Sequence, residues 1–426
     1  MDDWSRVTLG EVCDLVSGVI RTGPFGSQLH RADYVEDSDG TPVVMPKDIV
    51  GGRIVDSSIA RVGTETVERL ASHRMASGDI VMARRGDIGR RGLVDDRTAG
   101  WLCGTGSLRV SLPQSNLDPT FLYYYLGSDE AIGWLQGQAV GATMSNLNTD
   151  IVRRLEVPQP PLHVQGKIGA VLAAYDELIE NNLRRILILE EMAQAIYREW
   201  FVNFRYPGHE ADDLIDSPLG PIPKGWEPAS LTELADVNAA SVQKGSAPAQ
   251  INYIDISSVS PRSVDAITSL RFEEAPSRAR RVVRSGDTIW STVRPNRRSF
   301  ALVLDPPEHT IASTGFAVLT PTTVPQSYLY SAVGTLEFSA YLTNHARGAA
   351  YPAVNAEDFE KAPLLRPPNG LLGAFHDQTA PMLELVQVLA TTNRNLRSTR
   401  DLLLPKLVSG DIDVSDLDID TSWLVA

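Results

Sequence analysis

Apolar positions in this chain keep a 3.5-residue period over one long stretch, from His163 to Phe204. Ile168, Leu172, Tyr175, Ile179, Asn182, Ile186, Leu189, Ala193, Ile196 and Trp200 recur at alternating steps of four and three. That is the seam of a coiled coil, held for more than four heptads. Pro158, Pro160 and Pro161 close the chain before it and Pro207-Gly208 stops it after. At about 1.5 Å per residue the helix is about 60 Å long, more than one small domain can cover. One seam position is Asn182, and a buried amide is costly unless it meets a polar partner. The helix therefore needs a second helix.

The chain supplies one. Shifted by 207 residues, the register reappears at Phe375, Thr379, Met382, Val386, Leu389, Asn393, Leu396, Arg400, Leu403 and Leu407. The lead-in recurs as well: Gly141-Ala142 answers Gly348-Ala349, Asn148 answers Asn355, and Pro160-Pro161 answers Pro367-Pro368. The chain thus carries an internal repeat. Two prolines disturb the second copy. Pro381 is expected to kink or start the helix, and Pro405 to bend its last turn. A twofold relation between the repeats requires antiparallel helices. Facing Asn182 with Asn393 then sets the register, with partner numbers summing to 575. Ile168 meets Leu407, Leu172 meets Leu403, Ile179 meets Leu396, Ile186 meets Leu389, Leu189 meets Val386 and Ala193 meets Met382. Tyr175 is expected to meet Arg400, the guanidinium lying on the ring, and Trp200 to meet Phe375.

Period-two runs fill the rest of each repeat. Each copy opens with a Trp-x4-Leu-x-Glu stretch, at Trp4 to Glu11 and Trp226 to Glu233. Pro42 to Ile49 and its counterpart Tyr253 to Ile256 read as strands. Gly-Asp turns lead into β-prone runs at Gly78-Asp79 and Gly286-Asp287, and an arginine-bearing loop follows each. Further strands at Gly104 to Val110 and Ser313 to Leu319 precede short helices, Thr120 to Leu126 and Ser327 to Val333. The fold class is α+β: two globular mixed α/β domains, joined by two long antiparallel coiled-coil helices in a pseudo-twofold internal repeat. The domains run over 1–157 and 216–365, and the helical spacers over 158–215 and 366–426, the last with an acidic tail.

Composition is that of an ordinary globular protein, 43% hydrophobic and 22% charged. No apolar run reaches membrane-spanning length, and Met1-Asp2-Asp3-Trp4 lacks the features of a signal peptide. The two cysteines, Cys13 and Cys103, form no disulfide framework. These points indicate a cytoplasmic protein with no membrane partner. A net charge of −14 argues against a general nucleic-acid binder. The acids, however, crowd into two segments, Glu210 to Asp216 (with Asp212 and Asp213) and Asp411 to Asp420, so basic patches can persist elsewhere. Catalytic motifs are missing. Gly166-Lys167 is followed by Ile168, so there is no phosphate-binding loop. None of the six lysines has an acid two residues before it. Asp305-Pro306-Pro307-Glu308 lacks the aromatic of an adenine methyltransferase motif and reads as a surface turn. The seven histidines show no metal-ligand spacing. No catalytic or metal site is expected.

The whole pattern resembles the specificity (S) subunit of type I restriction–modification systems. The resemblance is carried by the two opening stretches, the loop Thr22-Gly-Pro-Phe-Gly-Ser27, the Gly-Asp strands, Met144-Ser-Asn-Leu-Asn148, Val157-Pro-Gln-Pro-Pro161 and Leu404-Pro-Lys-Leu-Val-Ser-Gly410. Their order, doubled along the chain, is more specific than any one of them. It implies two target-recognition domains that read the two halves of a bipartite site in double-stranded DNA. It also implies two methyltransferase (M) subunits seated on the helices and restriction (R) subunits in the full complex. S-adenosylmethionine, ATP and Mg would be bound by those partners, with no cofactor in this chain. The second repeat departs from the pattern: it lacks the Thr22–Ser27 loop, and Tyr351 to Asn355 replaces Met144 to Asn148. A stand-alone DNA methyltransferase or nuclease with a degenerate motif is the alternative.

Arginine forks suit guanine edges, and Asn or Gln suits adenine, while phosphate contacts fix position without reading sequence. The candidate DNA contacts are Arg21, Ser27, Gln28, Lys47, Arg84, Arg85, Arg90 and Arg91 in the first domain. In the second they are Arg294, Asn296, Arg297, Arg298 and Tyr351. The competing reading is that several are solvated charges or internal salt bridges, with Asp87 and Asp287 at hand.

Overall fold

The computed structural model describes residues 4–424 other than 140–145, 212, 244 and 246. Gly141-Ala142, Met144 and Ser145 of the Met144–Asn148 motif, Asp212 and the first three residues lie outside the described residues. The chain divides into two compact units, residues 1–179 with 396–426, and residues 180–395. The division passes through both long helices, so each unit holds a part of both.

In the first unit, strand Arg6–Thr8 runs antiparallel to Glu156–Pro158 with Val7 opposite Val157. The first and last strands of the domain therefore meet just before the long helix. One four-stranded sheet has the order Val19–Thr22, Ser107–Ser111, Ile80–Ala83, Arg91–Leu93. Ile80–Ala83 is apolar at every position and buried on both faces, as a central strand must be. The other sheet has the order Leu102–Cys103, Thr41–Val44, Ala60–Val62, Tyr34–Val35.

The second unit repeats this plan. Glu227–Ser230 pairs with Pro363–Arg366. One sheet runs Ala235–Val237, Phe316–Pro321, Thr288–Ser291, Phe300–Leu302, and the other Thr268–Arg271, Gln250–Ile254, Thr310–Ser313, Ala279–Val282. The outer strands differ. Ala279–Val282 occupies an edge that, in the first unit, carries only the single bridge Arg74–Leu102.

The motifs shared by the repeats are structural devices. Thr8 and Glu11 form a reciprocal capping box, the Glu11 carboxylate accepting from the Thr8 amide at 2.9 Å and the Thr8 hydroxyl from the Glu11 amide at 3.2 Å. Ser230 and Glu233 do the same, at 2.7 Å for the carboxylate. This is why Leu-x-Glu follows a hydroxyl residue in both copies. Gly78 and Gly286 sit at φ +84° and +91°, a turn open to glycine. The next aspartate closes each turn by accepting from the amide of Ala76 at 2.8 Å or Arg284 at 2.7 Å. Asn148 and Asn355 are helix N-caps, accepting from Ile151 at 2.8 Å and Asp358 at 3.0 Å.

The long helices span Leu162–Tyr197, extended by a wider turn over Arg198–Val202, and Asn369–Val408. Both begin directly after a proline, which has no amide to leave unpaired. The Pro161 carbonyl accepts from Val164 and the Pro368 carbonyl from Leu371, at 2.8 and 3.0 Å. In the second unit Asn182 donates to Asn393 at 2.9 Å, and the Trp200 and Phe375 rings lie 6.0 Å apart. One number rises as its partner's falls, so the packing is antiparallel in the expected register. In the first unit Ile168, Leu172 and Leu407 share one buried core, with Leu403 packed on it.

Two expectations change. Arg400 forms its ion pair with Asp176 and Asp401 instead of lying on Tyr175, and Tyr124 donates to Asp176 at 2.7 Å. A charge-assisted bond to a carboxylate within reach outweighs a ring face. The second helix also runs through Pro381 and Pro405 without interruption. Both prolines are exposed, and so are Asp377 and Asp401, whose carbonyls lose their helical donors. On that exposed face the freed carbonyls are open to solvent, which lowers the cost of the missing bonds.

Replacing Asn182 alone with Leu should destabilise the protein by about 1–3 kcal/mol, because it removes a hydrogen bond from buried Asn393. The double variant N182L/N393L should recover most of that loss in urea denaturation. A double variant as unstable as the sum of the two single variants would contradict the pairing. Glu190 gives a pH signature. It lies buried on the first long helix, 3.6 Å from Arg262 and within reach of the Tyr330 hydroxyl at 3.4 Å. Burial pushes its carboxyl up to about 7, against the pull of Arg262. Between the ordinary value of 4.5 and about 7, the folded chain holds a proton that the unfolded chain releases. Stability from this group is therefore lost as pH rises through that window. Glu190→Gln should match the parent at pH 4 and exceed it at pH 8 by on the order of 1–3 kcal/mol, and chemical denaturation at the two pH values checks this.

Candidate nucleic-acid interface

In the first domain, the loop after Val19–Thr22 is pressed backbone to backbone on the Gly104–Ser107 turn. The Gly23 amide donates to the Ser107 carbonyl at 2.9 Å, and a Cβ on Gly23 would lie 1.9 Å from the Gly104 carbonyl oxygen. Only glycine permits that approach. Thr105 donates to the Pro24 carbonyl at 2.9 Å. The rest of the loop, Phe25 to Gln28, is left facing solvent.

Two further loops join it. Arg84, at the end of strand Ile80–Ala83, places its guanidinium over the Phe25 ring, 5.4 Å from the centroid, and donates to the Asn146 side chain at 3.1 Å. Arg85 is exposed and bridges Asn146 through the backbone. Arg90 pairs with Asp87 at 3.2 Å and donates to the Pro46 carbonyl at 3.4 Å, which brings the turn onto the Pro46–Asp48 segment. Lys47 there is exposed, 3.7 Å from Asp48 and donating to the Ser58 carbonyl at 3.3 Å. Ser27, Gln28, Lys47, Arg84, Arg85 and Arg90 thus belong to one loop cluster. Arg21 stands apart, on Val19–Thr22 and donating to the Ser72 carbonyl at 3.1 Å.

In the second domain Arg294 lies over the Tyr351 ring at 4.7 Å, and its amide donates to the Pro352 carbonyl at 2.7 Å. Tyr351 is 70% exposed, so the pair presents an aromatic face outward. Asn296 and Arg297 are exposed on the turn Pro295–Arg297.

Arg91 and Arg298 are corrections to the expected contact set. Both turn inward, although they are not equivalent by strand register: Arg91 lies opposite Met82, and the matching place opposite Trp290 is held by Phe300. Arg91 donates to the Tyr123 carbonyl at 2.6 Å and lies 4.7 Å from the Tyr123 ring. A Cβ on Gly127 would lie 1.6 Å from its Nη2, so the guanidinium fills the room that glycine leaves. Arg298 donates to the Gly334 carbonyl at 2.5 Å and faces the Phe300 ring at 6.0 Å. Burial pulls both below the ordinary arginine value. In each Arg-Arg doublet the first residue, Arg90 or Arg297, faces solvent and the second anchors the turn to a helix end. Sequence reasoning missed Phe25 and Asn146 as members of the cluster. An aromatic between Gly-Pro and Gly was the available signal for Phe25, since no core strand or helix surrounds it.

Charge at the interface is local. The arginines gather on loops, while the acids of the C-terminal segment lie elsewhere in the first unit, where Lys167 donates to the Ser415 carbonyl at 2.6 Å. Among the described residues no group of three His, Cys, Asp or Glu is arranged to hold a metal ion. No described helix is long and apolar enough to cross a membrane.

One α+β domain is built twice, with an arginine-bearing loop cluster in each copy and a paired long helix after it. Residues 1–191 match the family described as the type I restriction modification DNA specificity domain. The type I restriction enzyme MjaIX specificity subunit of Methanocaldococcus jannaschii is 23% identical over 390 residues, 88% of each chain. The HindI specificity subunit of Haemophilus influenzae is 21% identical, covering 97% of this chain and all of its own. The crystal structure of a type I restriction–modification S subunit from M. genitalium shares the fold with a TM-score of 0.56 at 14% identity, over 96% of this chain and 95% of that one. Over most of its length the chain is thus similar to specificity subunits of type I restriction–modification systems, and its first 191 residues match the family's DNA specificity domain.

The doublets yield a paired prediction. Arg91→Ala and Arg298→Ala should each lower thermal stability, by about 1–3 kcal/mol, because they strip buried carbonyls of a charged donor. Arg90→Ala and Arg297→Ala should stay within about 0.5 kcal/mol of the parent yet weaken binding to duplex DNA at low salt. Melting curves and fluorescence anisotropy on the same four variants check this. Equal destabilisation of both members of a doublet would contradict the inward and outward assignment.

Proposed function

We propose that this chain reads a bipartite sequence in double-stranded DNA, one half with each domain, and seats methyltransferase subunits, with restriction subunits in the full complex. The observation that carries this reading is the pair of arginine-bearing loop clusters, placed after the same strand in two like-folded domains but built from different residues. Arginine forks donate in pairs to base edges and phosphates, and unlike loops on like scaffolds suit unlike half-sites. Arg85, Arg90, Lys47 and Arg297 are exposed, where they can meet phosphates. The chain itself acts without chemistry: S-adenosylmethionine, ATP and Mg belong to its partners, and the complex works in the cytoplasm. Two methyltransferase subunits are expected per chain, on the outer faces of the helices. Leu183, Leu187, Ile188 and Met192 are exposed on the first long helix, and apolar side chains gathered so closely on a helix mark a protein contact.

Co-expression with a methyltransferase partner tests this. The complex should methylate a bipartite target, the purified chain alone should neither methylate nor cleave DNA, and native mass spectrometry should find two methyltransferases per chain. Exchanging residues 1–150 for those of another such domain should change one half-site and leave the other. A continuous target, or a change in both halves, would overturn the two-reader assignment.

A further inference from the structure

The end of the central strand is built the same way in both domains, yet it carries different side chains. In the first domain the Arg84 amide donates to the Gly106 carbonyl at 2.9 Å, and its own carbonyl accepts from the Leu147 amide at 2.9 Å. In the second, the Thr292 amide donates to Gly315 at 2.8 Å and its carbonyl accepts from Val354 at 2.9 Å. The next residue bridges in both cases, Arg85 with Asn146 and Val293 with Ala353. The helices capped by Asn148 and Asn355 follow immediately in sequence. Arg84 and Thr292 are thus equivalent by backbone geometry, although the repeat spacing places them one residue out of step.

What fills the first seat is unusual. Arg84 is only 8% exposed. Its Nε is spent on Asn146 and its guanidinium is stacked on Phe25. Among the described residues no carboxylate pairs with it, and its burial and neighbouring Arg85 both disfavour the cation. A buried cation with no counter-charge is costly in the free chain. The cost is relieved when acceptors arrive at the two Nη nitrogens, for which no hydrogen bond is found among the described residues. In the second seat Thr292 has already used its hydroxyl on the Gly315 carbonyl at 3.0 Å, and an arginine reaches the surface from two residues further on, over Tyr351.

We propose that this strand-end seat is the specificity-determining position of each domain, and that in the first domain Arg84, held by Asn146, donates its Nη pair to the N7/O6 edge of a guanine while the exposed face of Phe25 packs on the adjacent base. The proposal rests on the DNA-reading function and adds the residue and the base. Two oxygens of one phosphate offer the same paired acceptors. A fixed, nearly buried head that changes from arginine to threonine between the two domains fits a base reader better, because phosphates are the same in every sequence. The second domain is then expected to read its half-site through a different group at this seat.

The test uses the full chain co-purified with its methyltransferase subunit and the target that this complex methylates. Each guanine of the first half-site is replaced in turn by 7-deazaguanine, which lacks the N7 acceptor. At one position the parent complex should bind about ten- to a hundredfold less tightly, and Arg84→Ala should lose that discrimination while still discriminating normally in the second half-site. Phe25→Leu should weaken preference only at the neighbouring base pair. If Arg84→Ala weakens all sequences by one common factor and flattens the salt dependence by about one phosphate, the group is a phosphate contact and the proposal is overturned. It is also overturned if the parent complex tolerates 7-deazaguanine at every position, an arm that needs no variant to fold. A parent complex that methylates no bipartite target at all would remove the DNA-reading function itself, a distinct result.

Discussion

Two amides in an apolar seam decide how the long helices meet. Hydrophobic residues alone allow slips by a heptad, since Leu, Ile and Val replace one another at modest cost. Asn182 and Asn393 do not allow it, because a slip would leave each amide against a side chain with no hydrogen-bonding group. Their bond at 2.9 Å selects one register, and other contacts follow from it. In the second unit it brings Trp200 and Phe201 onto Phe375, with ring centroids 6.0 and 5.0 Å apart. In the first unit the neighbouring turns bring Asp176 to Arg400. Tyr124 joins that pair, so the helix is also bonded to the short helix of the recognition domain.

The same division between fixing and reading runs through each domain. The motifs by which the chain resembles its relatives turn out to be caps, tight turns and close backbone contacts. Thr8 with Glu11, Gly78 with Asp79, Asn148 and Gly23 all satisfy backbone groups or permit an approach; none is placed to face a ligand. The residues that do face outward, such as Phe25, Arg85, Arg90 and Arg297, sit between these fixed points. The Arg-Arg doublets make the contrast within two residues. Arg91 is bonded to the Tyr123 carbonyl in space left by Gly127, while adjacent Arg90 keeps 44% of its side-chain surface exposed.

Periodicity therefore revealed the scaffold far better than the site. The seam, its antiparallel register and the doubled domain were all legible, because burial imposes a period and repetition doubles the signal. Pro381 misled as a helix start, since the helix already begins at Asn369; a proline on the solvent face costs less than one whose freed carbonyl is buried. Arg400 misled because Asp176, one residue off the seam, outcompetes Tyr175, and periodicity says nothing about neighbours of opposite charge. At the site the candidate arginines were recognisable as a class, but the sequence had no means to tell Arg90 from Arg91. That difference depends on where the Gly127 backbone passes, more than thirty residues later in the chain.

A chain with a net charge of −14 that is to bind a polyanion, as proposed, needs cations held where they count, and holding them is itself a problem of desolvation. Arg91 and Arg298 solve it by bonding to carbonyls and become part of the framework. Arg90 does so by pairing with Asp87, at a bond that phosphate can exchange. Arg84 does neither. It is buried, stacked and fixed, with its outer nitrogens unpaired among the described residues, so the free protein carries the desolvation cost before any ligand arrives. Such a group contributes little to general attraction, which exposed charges supply more cheaply and over longer range. Its value lies in discrimination, since a base that cannot accept both bonds leaves the cost unrelieved. A duplicated domain can then change its half-site by altering the side chain at one braced backbone position, with the sheet, the caps and the helix seam left as they are.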